Sequence, residues 1–312
     1  MNSEEVDRKI YLAKVAEQAD RYDEMARHLS EIAQAGVPFD PERRNLLSVA
    51  YKNAVGTRRN ALRVVTTLHA KESARGMETR AEDLAKYRMT IEDELDTTCA
   101  DILKSLDALL SADPVKNADD VEANVFYNKM KADYHRYTAE FAAGDKRTMA
   151  SDHAKAAYEA ATTTALKLDP THPIRLGLAL NYSVFQYEIL NEPREACRTA
   201  QAAFDAAGNH NPGTIESESF QDTNLIATLL HDNLMLWTQH NEELERQEAA
   251  ALAAAKAAAT VAATVTAPDT ATSADEPSAS SPTSAPKDEL AKETSVEETP
   301  ATEDAETKAD DA

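Results

Sequence analysis

The sequence predicts an all-α protein of nine antiparallel helices, and two observations favour this class. The 312 residues include only seven glycines, far below the average share of about 7%, so tight turns are few. Apolar residues also recur at helical spacing through most of the chain, between short segments that contain Pro, Asn or Gly. A hydrophobic content of 42% is enough for a sizeable core.

The first elements are a helical hairpin and a long third helix. Two helical patterns run from Ser3 to about Ala35 and meet near Tyr22 and Asp23. Asp40 before Pro41 has the sequence of a helix cap followed by proline at the first helical position, so the third helix is expected to begin there. We expect this third helix to run from Pro41 to about Ala70. The six later helices are expected at Thr79 to Leu110, Val121 to Ala143, Met149 to Lys167, Ile174 to Leu190, Arg194 to Ala207 and Glu218 to His240.

The C-terminal segment has a different composition. Beyond Glu245 the chain is alanine-rich, and from Val261 it contains thirteen Asp or Glu against three Lys among many Ser, Thr and Pro residues. Such a segment cannot bury enough surface to fold. We expect a helical domain over residues 1–245, with halves at 1–110 and 121–240, and a disordered tail over 246–312, whose alanine-rich start could extend the last helix by several turns.

The net charge excludes two classes of partner. A formal charge of -22 and a pI near 4.7 argue against general binding of nucleic acid or of anionic membranes. There is no run of 18 apolar residues and no signal-peptide core, so we expect no membrane insertion and a cytoplasmic location, with the nucleus as a second compartment. Cys99 and Cys197 have no second Cys or His at metal-ligand spacing, so we expect buried free thiols, no metal site and no cofactor.

A basic stripe on the third helix stands out in so acidic a chain. Lys52, Arg59 and Arg63 are seven and four residues apart, which places them within about 40° on a helix, and Val49 and Val55 border them. One interpretation is an ordinary solvated face. The other is an anion-binding site.

A second cationic pair lies on the fifth predicted helix. Lys129 and Arg136 are seven residues apart, and Tyr137 follows directly. Guanidinium groups bind phosphate oxygens through two hydrogen bonds at once, and a phosphoserine carries a charge of about -1.5 to -2. Two Arg, one Lys and a Tyr hydroxyl are therefore suitable groups to hold a phosphorylated side chain.

Four stretches resemble the 14-3-3 family. RNLLSVAYKN, followed by VG-x-RR, is similar to the family's third helix, and DYHRY is similar to its DYYRY. RLGLALNYSVFQYEILN, from Arg175 to Asn191, is the most specific match, and LLHDNLMLW resembles LLRDNLTLW. The resemblance covers about Ser3 to Trp237, with a poor match over the loop from Gly208 to Ser219.

The resemblance implies a cup-shaped groove that binds phosphoserine- or phosphothreonine-containing segments of client proteins, in a homodimer or a heterodimer with a paralogue. It assigns residues 1–110 to dimerisation and residues 121–240 to the groove. The implied phosphate-binding residues are Lys52, Arg59, Arg63, Arg136 and Tyr137. The implied peptide-groove residues are Asn45, Lys129, Gly177, Leu180, Asn181, Val184, Glu188, Leu225, Ile226, Leu229, Asn233 and Trp237. The implied dimer-interface residues are Arg21, Tyr22, Glu24, Tyr87 and Glu94.

Several positions depart from the family's pattern. Arg21 and Glu94 match one inter-subunit ion pair, but Thr90 replaces the Lys that Glu24 usually meets, and Arg8 replaces a Glu. Surface pairs contribute only about 0 to 1 kcal/mol each, so these changes bear on the choice of dimer partner. Leu62 replaces a Trp, and Ala61 replaces a Ser whose phosphorylation is linked in the family to dimer dissociation, a switch we expect to be absent here.

Other interpretations stay open. Asn181 could be an ordinary buried polar residue, and the chain could be a phosphate-independent helical scaffold. It could also be a solenoid, although no segment recurs at the period of about 34 to 47 residues that is typical of helical repeats. An enzyme is disfavoured because HExxH, GxSxG and Walker-type motifs do not occur. The acidic tail could compete with phosphopeptides for the basic stripe, or could only aid solubility.

Overall fold

The computed structural model describes residues 1–112, 115, 120–208 and 217–265. Within these residues the chain forms nine α-helices and no β-strand, which confirms the predicted fold class. The helices are α1 Ser3–Gln18, α2 Tyr22–Gln34, α3 Pro41–Ala74, α4 Glu78–Ser111, α5 Val121–Phe141, α6 Gly144–Ala165, α7 Pro173–Glu188, α8 Pro193–Gly208 and α9 Ser217–Val265.

Side-chain caps fix where the first site-bearing helices begin. The Asp40 carboxylate accepts a hydrogen bond from the Arg43 backbone N–H at 2.8 Å, with Pro41 in the first turn, as the sequence predicted. Asp120 caps α5 in the same way through the Ala123 N–H at 2.9 Å. These caps satisfy backbone donors that have no partner inside the helix.

Two glycines define helix ends through left-handed backbone conformations. Gly76, at φ +70°, lies between α3 and α4, where the break was predicted. Gly144, at φ +56°, is the first residue of α6. The predicted start at Met149 was therefore wrong by five residues, because the polar first turn of α6 carries no apolar periodicity. Positive φ is open to glycine at little steric cost.

Successive helices pack against each other, and α5 and α7 link the packing. One core cluster joins α1 to α5, a second joins α5, α6 and α7, and a third joins α7, α8 and α9. Since α3 and α5 are separated by one helix, they run in the same direction, and Arg44 at the start of α3 pairs with Glu122 at the start of α5 at 3.3 Å. The three clusters connect α3 to α5, α5 to α7 and α7 to α9.

The last helix is longer than the periodic pattern that predicted it. It continues through the alanine-rich stretch to Val265, so the expected extension by several turns is present and the helix passes residue 245. The disordered tail was predicted over residues 246–312, but residues 246–265 are helical, and residues 266–312 lie outside the described residues. Among the described helices, none combines the length and apolar character needed to cross a bilayer.

Candidate functional site

A shared carboxylate joins the basic residues of α3 and α5. The Arg59 guanidinium donates to both oxygens of Glu140, from Nε at 3.0 Å and from an Nη at 3.1 Å. Arg136 donates to the same carboxylate at 3.2 Å. Arg136 is only 1% exposed, so the structure holds a buried and a half-buried cation beside one anion.

The Tyr137 ring lies close to both guanidinium groups. The Cζ atoms of Arg59 and Arg136 lie 4.2 and 4.6 Å from its centroid, distances at which a ring attracts a cation. Tyr134 holds the ring from the side in an edge-to-face contact at 5.6 Å. Burial raises the pKa of Tyr137, so its hydroxyl stays protonated and available as a hydrogen-bond donor at neutral pH.

Arg136 keeps its charge in spite of its burial. Burial disfavours the guanidinium, but Tyr158, Tyr137, Asp133 and Glu140 raise the pKa of Arg136 well above its usual value. One of its Nη atoms makes no hydrogen bond to any described residue and lies 3.6 Å from an Asp133 oxygen. That N–H group is chemically suited to an anionic ligand.

Lys52 and Arg63 extend the basic face of α3 on either side of Arg59. Lys52 is half-buried and Arg63 is exposed. Their spacing of seven and four residues from Arg59 places all three on one face of the helix. We call Lys52, Arg59, Arg136 and Tyr137 the cationic cluster.

Asp133 connects the cationic cluster to α7. Its buried carboxylate accepts hydrogen bonds from Asn181 Nδ2 at 3.0 and 3.1 Å, from the Tyr158 hydroxyl, and from Lys129 Nζ at 3.4 Å. These bonds fix the Asn181 amide, whose Oδ1 accepts no hydrogen bond from the described residues. The arrangement leaves an amide acceptor that suits a backbone N–H.

Most predicted groove residues of α7 and α9 are buried against each other. Leu180, Val184 and Ile226 belong to one core cluster, and Asn233 is buried. A Cβ at Gly177 would lie 3.7 Å from the Lys129 side chain, at ordinary van der Waals distance. The more accessible predicted positions are Asn45, Glu188, Leu225 and Leu229.

Trp237 does not share the accessible strip of Leu225. It is 3% exposed and stacks on Tyr187 at 4.9 Å between ring centroids. Trp237 is therefore less accessible than Leu225 and Leu229, and its assignment to the peptide groove stays a prediction. Leu236, which is 45% exposed as Leu225 is, lies eleven residues after Leu225 and so returns to nearly the same helix face.

Sequence reasoning missed three residues that the structure places at the site: Asp133, Glu140 and Leu236. Glu140 follows Arg136 by four residues, the spacing of an ion pair on one helix face, so the sequence carried that signal. Asp133 lies inside the DYHRY stretch but received no role. Its bonds to α6 and α7 could not be inferred from spacing along α5.

The predicted dimer-interface residues make contacts within this chain. Arg21 pairs with Glu24, Tyr22 donates to Asp20 at 3.0 Å, and Glu94 accepts from Arg58 at 3.2 Å. Tyr87 is 58% exposed. The pairing of Arg21 with Glu94 stays a prediction for an assembly of two chains.

The two cysteines differ from each other. Cys99 is buried, as predicted, whereas Cys197 is half-buried, and its Sγ accepts a hydrogen bond from Asn241 at 3.2 Å. Both are free thiols. In the part of the chain that the structure describes, no three His, Cys, Asp or Glu side chains are arranged to hold a metal ion.

Comparison with known proteins identifies close relatives. A family model described as 14-3-3 protein matches residues 12–238. The chain is 52% identical over 230 residues to the 14-3-3 family protein artA of Aspergillus flavus, covering 73% of this chain and 94% of that protein. It is 49% identical over 240 residues to 14-3-3 protein 7 of Solanum lycopersicum, with 77% and 93% covered. It is 50% identical over 235 residues to 14-3-3 protein epsilon of Drosophila melanogaster, with 75% and 88% covered.

Proposed function

This chain belongs to the 14-3-3 family, and from that premise we propose that it is a dimeric adaptor that binds phosphoserine- or phosphothreonine-containing segments of client proteins. Binding takes place along α3, α5, α7 and α9. The proposal assigns no catalytic step and no cofactor to the chain. In this proposal the protein acts in the cytoplasm and the nucleus, and it neither inserts into membranes nor binds nucleic acid.

One observation carries the phosphate-binding part of the proposal. The guanidinium groups of Arg59 and Arg136 lie against the ring of Tyr137 and both donate to the carboxylate of Glu140. A phosphate monoester offers more charge and more acceptor oxygens than this one carboxylate. Hydrogen bonds to charged groups contribute about 1.5 to 3 kcal/mol each, so a few of them supply micromolar affinity.

The rest of the bound segment follows from the residues beside the cationic cluster. Asn181 Oδ1 accepts a backbone N–H of the ligand, because its amide is already oriented by Asp133. Leu225, Leu229 and Leu236 accept apolar side chains that flank the phosphorylated residue. An extended peptide that is recognised by its phosphate and its backbone fits this combination of cationic, amide and apolar side chains.

The test is a titration with one fluorescent peptide in phosphorylated and unphosphorylated forms. We expect the phosphorylated form to bind at least about a hundredfold more tightly, which corresponds to two lost charged hydrogen bonds. Lys52→Glu should abolish this preference. Lys71→Glu makes the same charge change on an exposed position of α3 outside the cationic cluster and should leave binding unchanged.

Equal affinity for the two peptide forms would favour the alternative function, a helical scaffold that binds partners without regard to phosphate. Retained preference in Lys52→Glu would locate the phosphate elsewhere. Both outcomes are distinguishable from misfolding by far-UV circular dichroism of each variant.

The dimer part of the proposal rests on exposed apolar side chains. Tyr11 on α1, Val64 and Leu68 on α3, and Tyr87 and Met89 on α4 are each more than 40% exposed. A contiguous exposed apolar patch marks an interaction surface, and we propose that these side chains belong to one. Light scattering should give the mass of two chains for the wild type and of one chain for Tyr87→Arg with Val64→Arg, whereas Met149→Arg, on α6, should stay dimeric.

A further inference from the structure

A second concave site lies at the C-terminal end of α7. It is a cavity of about 770 Å³, formed where α6, the segment between α7 and α8, the start of α8, and α9 meet. Tyr182 and Gln186 of α7 line it. They lie two residues after Leu180 and Val184, a rotation of about 200°, so the cavity opens on the side of α7 opposite the proposed peptide groove.

Gln186 provides a buried acceptor in this cavity. Its side chain is 4% exposed, and its Oε1 accepts no hydrogen bond from any described residue. An amide oxygen buried without a donor is destabilising, and such groups are rare in folded proteins. The site therefore suits a ligand that donates N–H groups.

The charges around Gln186 favour a cationic donor. Arg194 is paired with Glu248 at 3.1 Å, and Arg198 is paired with Glu195 at 2.8 Å. Glu159 and Glu192 also line the cavity, with Lys155 as the remaining cation, and the ion pairs of the described residues include neither carboxylate.

The same carboxylates also affect the hydroxyl of Tyr182. Burial raises the pKa of Tyr182, and the nearby carboxylates of Glu159, Glu192 and Glu195 raise it further. The ring stacks on Tyr158 at 5.1 Å between centroids with an interplanar angle of 18°, which fixes its orientation. A held aromatic ring among carboxylates is a favourable neighbour for a planar cation.

We propose that this cavity binds the guanidinium group of an arginine. The guanidinium offers five N–H donors in one plane, which suits a cavity whose lining includes the carboxylates of Glu159 and Glu192 and the buried amide of Gln186. The cavity volume lies in the range of about 300 to 1,000 Å³ that is usual for small-ligand sites. The site is independent of the cationic cluster, so a client could present a phosphorylated residue to one and an arginine to the other.

The experiment titrates the full-length protein with N-acetyl-arginine amide and with N-acetyl-citrulline amide, followed by NMR chemical shifts. Citrulline has nearly the same shape but no charge. We expect arginine amide to bind at least about tenfold more tightly, the effect of losing one charged hydrogen bond. Equal binding of the two compounds would overturn the proposal.

Variants locate the site and separate it from the phosphate-binding proposal. Glu159→Gln with Glu192→Gln should weaken arginine amide binding about tenfold, whereas Glu82→Gln, an exposed carboxylate of α4, and Lys52→Glu should not change it. Unchanged binding in the double variant would overturn the proposal, and loss in Lys52→Glu would move the ligand to the peptide groove.

A third arm identifies the source of the guanidinium. The unphosphorylated tripeptide acetyl-Gly-Arg-Gly amide should bind as tightly as the free arginine derivative if the arginine belongs to a protein partner. Binding of the free derivative alone indicates a small-molecule guanidinium instead. Failure of both compounds to bind would overturn the proposal.

Discussion

The carboxylate of Glu140 accepts two hydrogen bonds from the guanidinium of Arg59, at 3.0 and 3.1 Å. This pair ties the middle of α3 to the last turn of α5, although the two helices are separated in sequence by the whole of α4. The same carboxylate also neutralises Arg136. Glu140 therefore stabilises the cationic cluster when no ligand is present.

Replacement of Glu140 should lower the stability of the fold. We expect Glu140→Gln to reduce the free energy of unfolding by about 1 to 3 kcal/mol, because two cations lose a charged partner. Urea unfolding measures this value. Glu82→Gln, on an exposed part of α4, should stay within about 0.5 kcal/mol of wild type, and an equal effect of both changes would contradict a special role for Glu140.

Asp133 should be more important for stability than an exposed ion pair. Asp133→Ala leaves Asn181 and Tyr158 without their buried acceptor and Arg136 without a nearby opposite charge, and we expect a loss of about 3 kcal/mol. Asp107 pairs with Lys131 at 2.6 Å on the surface, so Asp107→Ala should cost at most about 1 kcal/mol. The two values come from matched urea titrations, and a larger cost for Asp107 would refute the comparison.

His135 should make the protein less stable in mild acid. Burial lowers the pKa of His135 to about 4, and the facing His153 and Lys131 lower it while Asp107 raises it. The unfolded value is about 6.5, so the folded state binds fewer protons between these values. Stability is therefore complete above about pH 6.5 and falls as the pH drops toward 4.

The matched variants for this pH effect are His135→Gln and His231→Gln. Thermal melts between pH 7 and pH 4.5 should show a smaller loss of stability for His135→Gln than for wild type. His231 is exposed on α9, so His231→Gln should follow the wild type. Parallel curves for wild type and His135→Gln would show that other groups cause the acid sensitivity.

The two thiols should react at different rates. Burial raises the pKa of Cys99 to about 12, and the thiolate is the reactive form. A disulfide reagent at pH 8 should therefore modify Cys197 in the folded protein and leave Cys99 unmodified until urea unfolds the chain. Cys197→Ser should remove the reaction of the folded state, and rapid loss of one thiol in that variant would contradict the assignment.

Sequence patterns predicted the helices, caps and breaks, which depend on neighbouring residues, and missed side-chain contacts between helices, which depend on distant ones. The nine helices, the Asp40 cap and the Gly76 break are local, and all of them are present. The burial of Trp237 against Tyr187 of another helix depends on a distant residue, so spacing along α9 could not predict it. Counting eleven residues from Leu225 would have found Leu236.

The acidic C-terminal segment should weaken phosphopeptide binding at low salt. Its thirteen carboxylates from Val261 onward are opposite in charge to the cationic cluster, so removing residues 266–312 should tighten binding about two- to fivefold in 20 mM salt, and not in 300 mM, where charges are screened. Fluorescence anisotropy measures both affinities. Removing residues 246–312 should have the same effect, and unchanged affinity at low salt would reject the competition.

The length of α9 sets where that segment begins. From Trp237 to Val265 the helix advances 265 − 237 = 28 residues, which at 1.5 Å per residue is about 42 Å. Over the exposed residues 245–256 the helix has almost no tertiary packing to support it, so its backbone depends on the strong helical preference of alanine. The number of alanines in this last part of α9 therefore sets how far the helix extends beyond Trp237.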